Sequence, residues 1–112
     1  MTEREERIAL NETIFRDVNE RVEEVLLTLE PAPPKALEIF CECGRADCLE
    51  KITVPLSEYE DVRSRPERFL TAPGHNVPDV EDVVAQRAGY WVVEKLEEEA
   101  QIAREGGPRA QR

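Results

Sequence analysis

The stretch Phe40-Cys41-Glu42-Cys43-Gly44-Arg45-Ala46-Asp47-Cys48 holds all three cysteines of the chain. The only histidine, His75, follows Ala72-Pro73-Gly74, and Pro-Gly is a turn signal that sets it on a fixed bend. Three thiolates and one imidazole are a complete ligand set for tetrahedral Zn²⁺, and no cysteine or histidine is left over. Cys41 and Cys43 have one residue between them. In an extended strand they would share a face but lie too far apart for one ion, so the chain must bend at Glu42. Gly44 directly after Cys43 eases the turn of the backbone amides toward the thiolates. The expected ligands are Cys41, Cys43, Cys48 and His75.

Outward from this stretch, Ala36-Leu37-Glu38-Ile39-Phe40 alternates like a strand, and Ile52-Thr53-Val54 reads as its return, stopped by Pro55. The cysteines then sit in the turn between two strands, a zinc-knuckle arrangement. Ser57-Glu58-Tyr59-Glu60 has the capping-box pattern, which predicts a short helix starting at Ser57, running through Ser64 and stopping before Pro66. Residues 67–78 read as irregular. Residues 80–86 and 90–94 are β-rich, with a hairpin turn at Arg87-Ala88-Gly89, and Tyr90 and Trp91 fall on opposite faces. A Glu- and Ala-rich helix is expected to about Glu105, followed by a disordered tail.

Residues 2–30 read as one long helix capped by Thr2, with acidic residues in the first turn where the helix dipole favours them. Ile8, Asn11, Phe15, Val18, Val22, Val25 and Leu29 recur at three- and four-residue steps, and Leu10, Ile14 and Leu26 broaden that seam. Two readings follow: a helix packed on its own domain, or one that pairs with a partner, its own copy included. Pro31-Ala32-Pro33-Pro34 reads as a stiff linker, so the helix is free to project.

The totals bound the rest. The chain has 112 residues, is 40% hydrophobic and 5% aromatic, and carries a net charge of −10. That is one domain with a small aliphatic core, the size at which a metal cross-link is a common remedy. The charge disfavours nucleic acid and anionic membranes as partners. An odd cysteine count and a charged N-terminus without an apolar h-region argue against a secreted disulfide framework, and no apolar run approaches the roughly 18 residues of a membrane span. The expected compartment is the cytoplasm. Arg63, Arg65 and Arg68 form a basic cluster, read either as a solvated face or as a site for an anion or an acidic peptide.

Three other chemistries compete for the cysteines. An iron–sulfur centre also uses three Cys and one His, but there the third Cys and the His lie together in a Cys-Asp-Gly-Ser-His run, whereas this chain has Cys48-Leu49-Glu50. A catalytic zinc keeps an open position with an acid or base beside it, for which Glu42 or Glu50 would serve if His75 were not a ligand. No deaminase, nucleophile-elbow or phosphate-loop pattern accompanies it. A redox sensor would oxidise a pair such as Cys41–Cys48 or Cys43–Cys48 and release the metal.

Phe40-Cys41-Glu42-Cys43-Gly44, Asp47-Cys48, Glu58-Tyr59-Glu60, Val62-Arg63, Pro66, Arg68-Phe69, Pro73-Gly74-His75 and the run from Tyr90 to Lys95, with Asn11-Glu12, Phe15-Arg16 and Val18-Asn19-Glu20-Arg21 before them, carry a resemblance. The chain resembles a group of small bacterial Cys-x-Cys-Gly…Cys…Pro-Gly-His proteins of unassigned function. The resemblance covers most of residues 8–95 and implies a shared fold and shared metal ligands, with no activity attached.

The expectation is therefore an α+β protein: an acidic amphipathic helix over 1–30, a Pro-rich linker over 31–34, a zinc-stabilised β-rich domain with a short helix over 35–95, and a tail over 96–112. Glu42, Asp47 and Glu50 are expected near the metal and solvated. The expected role is non-enzymatic: an interaction or regulatory module that docks on another cytoplasmic protein through the helix or the arginines. The alternative is a zinc-thiolate redox switch.

Overall fold

The computed structural model describes residues 2–29, 34–45 and 47–106. Most of the Pro-rich linker and the C-terminal tail after Gly106 lie outside the described residues. The order is α1 (Glu3–Leu29), β1 (Ala36–Phe40), β2 (Lys51–Pro55), α2 (Leu56–Arg63), β3 (Arg68–Thr71), β4 (Glu81–Arg87), β5 (Tyr90–Lys95) and α3 (Glu97–Gly106). The fold is α+β, with one long N-terminal helix followed by two small antiparallel sheets. Among the described residues no helix is long and apolar enough to cross a membrane.

Strands β1 and β2 form the first sheet, with Leu37 opposite Val54 and Ile39 opposite Ile52. All four of these side chains are buried while Glu38 and Thr53 face out, the period-2 pattern of a half-covered sheet. The second sheet has the order β3-β5-β4. Strand β3 falls in the stretch expected to be irregular. It is only four residues long, and its ladder partner is β5, with Thr71 opposite Trp91 and Arg68 opposite Glu94, so its order comes from a distant strand and not from local propensity. Strands β4 and β5 form the expected hairpin, and Gly89 at its turn has φ +88°. Tyr90 is buried and Trp91 half-buried.

Helix α2 corrects a second expectation. Its N-cap is Pro55, with no side-chain cap, and Ser57 lies inside the first turn. The Leu56 N–H donates to the carbonyl of Lys35, just before β1, at 2.9 Å, which satisfies one of the free N–H groups of the first turn.

The long helix starts as read, with Glu5 N–H donating to Thr2 Oγ1 at 3.1 Å. It does not project, and the face it lays on the domain is its polar one. Glu12, Thr13, Arg16, Asn19, Glu20 and Glu23 are buried, whereas Leu10, Ile14, Val18 and Val25 are 48%, 58%, 40% and 52% exposed. Of the seam expected from Ile8 to Leu29, Ile8, Asn11, Phe15 and Val22 are partly buried and Val18 and Val25 exposed, and the Leu29 side chain lies outside the described residues. Specific bonds make the polar face the inner one. Arg16 Nη1 donates to the Pro66 carbonyl at 2.6 Å and Nη2 to the Ala103 carbonyl at 2.8 Å, with the guanidinium 4.8 Å over the Phe69 ring. Further along, Lys95 Nζ is paired with Glu12 and, at 2.7 Å, with Glu81.

Two buried carboxylates on one ammonium leave one excess negative charge. Burial accordingly raises the Glu12 carboxyl well above its ordinary 4.5, Lys95 opposing and Glu81 adding to the rise. The sign of the stability effect follows. The folded chain holds this proton at pH values where the unfolded chain has released it. The stabilisation is full below about 4.5 and is lost as pH rises through the raised folded value. Glu12→Gln removes this dependence and leaves Lys95 paired with Glu81. Urea midpoints between pH 4.5 and 8 should rise for the wild type on acidification more than for E12Q. Parallel profiles would refute the excess buried charge.

Candidate metal centre

The Cys41 N–H donates to the Glu50 carbonyl at 2.8 Å, which extends the β1–β2 ladder past its last formal pair. The chain then bends at Glu42, whose N–H leaves that sheet and donates to the Leu70 carbonyl of β3 at 2.8 Å. Gly44 takes φ +79°, a conformation that glycine adopts without strain. A Cβ there would also lie 2.6 Å from the Ile8 carbonyl oxygen and 2.8 Å from Glu12 Cγ, so the knuckle touches α1 through this residue. Cys48 N–H donates to the Arg45 carbonyl at 3.1 Å and closes the turn. Beyond β3, His75 N–H donates to the Ala72 carbonyl at 3.1 Å with Gly74 at φ +82°, the Pro-Gly turn read from sequence.

These turns bring together all four predicted ligands. One ligand atom from each of Cys41, Cys43, Cys48 and His75 lies within 4.8 Å of the other three. His75 Nδ1 is 3.6 Å from Cys41 Sγ and 3.7 Å from Cys48 Sγ. Zn–S bonds of about 2.3 Å and a Zn–N bond of about 2.0 Å at tetrahedral angles give an S···N edge of about 3.5 Å, so the residues fit a single tetrahedral metal ion. The Ala72 N–H donates to Cys41 Sγ at 3.1 Å, a bond that supports a thiolate. Without metal the thiols share their protons unequally. A hydrogen bond from Cys41 lowers Cys43 to about 4, and the same bond, then burial, pushes Cys41 up. Burial also raises Cys48. The outer nitrogen of the imidazole, Nε2, lies 3.6 Å from Oε2 of the exposed Glu50, beyond hydrogen-bond reach.

Glu42 is not solvated. Lying between two residues that face the metal, it points the other way, and there it is fully buried. Its Oε2 accepts from Asn19 Nδ2 at 2.7 Å and from Arg63 Nη2 at 2.6 Å, and its Oε1 accepts from the Leu70 N–H at 3.0 Å. Three donors commit this carboxylate to structure, so it cannot act as a base beside the metal. Asp47 and Glu50 are exposed, as expected.

The arginine cluster is dispersed. Arg63 is buried against Glu42, Arg68 pairs with Glu94 at 3.0 Å, and only Arg65 is exposed. Sequence reasoning missed what Asn11 and Asn19 do. Asn11 Nδ2 donates to the Gly44 carbonyl at 3.1 Å, and Asn19 holds both the N–H and the carbonyl of Phe40, at 2.9 Å and 2.8 Å. Both asparagines lie on a helix that could have used alanine or leucine there, and that was the available signal.

Fold and site together define a small α+β domain with a clustered three-cysteine, one-histidine site that could hold a metal ion. No protein-family model, curated protein or solved structure matches the chain.

Proposed function

We propose that this protein is a non-enzymatic docking module whose fold is fastened by one structural Zn²⁺ on Cys41, Cys43, Cys48 and His75. The observation that carries the reading is the convergence of every cysteine and the only histidine within 4.8 Å of one another. Zinc is favoured over an iron–sulfur cluster because the S···N distances of 3.6 and 3.7 Å suit four ligands on one ion, and a binuclear cluster would spread them over two. Four protein ligands leave no open position for a substrate, and Glu42 is spent on hydrogen bonds. Of the two docking surfaces expected, the arginine cluster is broken up by Arg63. The outer face of α1 remains, and its partner is a cytoplasmic protein.

Elemental analysis of the native protein tests this. One zinc per chain is expected, lost or weakened in both Cys48→Ser and His75→Ala. Iron with sulfide, or no metal, would overturn the reading. A turnover abolished by Glu50→Gln with zinc and fold retained would overturn its non-enzymatic part.

A further inference from the structure

Because α1 rests on its polar face, its apolar stripe points away from the domain. Leu10, Ile14, Val18 and Val25 follow one another along that side and are each 40% exposed or more. They form a line of about 22 Å at about 1.5 Å per residue. Beside them Val18, Arg21, Val22, Val25 and Leu26 line a shallow open groove. Single exposed apolar residues are ordinary. An aligned stripe, on a helix whose opposite face buries Glu12, Arg16, Asn19 and Glu20, is the pattern of an interface.

We propose that this stripe is covered by the same stripe of a second copy of the chain, with the two α1 helices antiparallel about a twofold axis level with the midpoint between Ile14 and Val18. The inference rests on the docking role proposed for α1 and names its occupant. The charges choose the copy and its direction. Exposed Arg7 and Arg21 lie in line with the apolar residues, and exposed Asp17 and Glu24 flank that line on one side. A parallel pair would stack Arg7 on Arg7 and Arg21 on Arg21. The antiparallel pair sets Ile14 against Val18 of the second copy, twice. It also brings the Arg7 stem level with Val25 of the second copy and its guanidinium beside Glu24 of the second copy, again twice. Asp17, which comes nearest its own counterpart, has Arg21 one turn further along the same helix.

Sedimentation equilibrium of the full chain, with zinc content measured on the same samples, tests the proposal. The wild type should sediment at twice the chain mass, and Ile14→Glu with Val18→Glu should give a monomer that keeps its zinc and its helical circular dichroism. Arg7→Glu should raise the dimer dissociation constant about tenfold, since two attractions become two repulsions. Glu24→Arg should do the same, and the two changes together should restore the dimer. A monomeric wild type overturns the proposal. So does a dimer that survives Ile14→Glu with Val18→Glu, or one that the charge swap fails to rescue. A zinc-free wild type would instead overturn the metal reading, and a zinc-loaded monomer would leave α1 to a different partner.

Discussion

Cys43→Ser is expected to remove the metal and, with it, most of the cooperative stability of the fold. Cys43 is fully buried, and Cys41, Cys43 and Cys48 belong to one core with Leu37, Ile39, Val54, Tyr59 and Leu70. The ligands are thus part of the core, and any loss of metal is felt by β1, β2 and β3 together. Binding free energies of structural zinc run to about 10–16 kcal/mol in small peptides, against a net stability of about 5–15 kcal/mol for whole domains. Even a fraction of the former is comparable to the whole margin of a chain with so few aromatics. The loss reaches α1 as well. Its hydrogen bonds to Gly44 and Phe40 need the knuckle in place. Adding a strong chelator to the wild type should reproduce the variant: near-ultraviolet dichroism collapses, the urea midpoint falls or the transition vanishes, and zinc restores both in the wild type alone. His75→Ala should be milder, because its side chain is 23% exposed at the rim of the site. A metal-free wild type with an unchanged urea midpoint would rule out a structural metal.

The knuckle was legible because it is local. Its spacing, Gly44 and the Pro-Gly turn before His75 are short-range signals, and the structure closes them on one point. The length of α1 was legible for the same reason. Its orientation was not. The apolar stripe and the stripe of Glu12, Arg16, Asn19 and Glu23 share the helical period, so periodicity alone cannot say which faces inward. That choice is made by Pro66, Ala103, Phe40 and Gly44, whose backbone groups meet the polar side chains and are remote in sequence. Arg63 misled in the same way. Beside Arg65 and Arg68 it looked like surface charge, and only the fold supplies Glu42 and Glu20 as its partners.

Those partners make Arg63→Met the most damaging expected change away from the metal ligands. Arg63 Nη2 meets Glu42 Oε2 at 2.6 Å and Nε lies 3.7 Å from Glu20 Oε1. Tyr59 OH donates to the same Glu20 oxygen at 2.8 Å, and its ring sits 4.8 Å under the guanidinium. Burial works against the charge on Arg63, but Glu42, Tyr59 and Glu20 together outweigh it and hold the group protonated. Methionine fills much of the space and removes the guanidinium that donates to Glu42. Glu42 and Glu20 then lose this partner, and deleting one partner of a buried pair costs about 3–5 kcal/mol. Glu42 lies between two metal ligands, so the damage should also appear at the metal, as a zinc affinity lower by about 10–100-fold. Adding Glu42→Gln to Arg63→Met removes one of these buried charges and keeps a single acceptor oxygen, enough for either Asn19 Nδ2 or the Leu70 N–H. The double variant should therefore recover part of both losses. Urea denaturation and competition with a chromogenic chelator read the two effects separately. If Arg63→Met costs under about 1 kcal/mol, the size of an exposed pair, the network is ornamental and Glu42 is not its anchor.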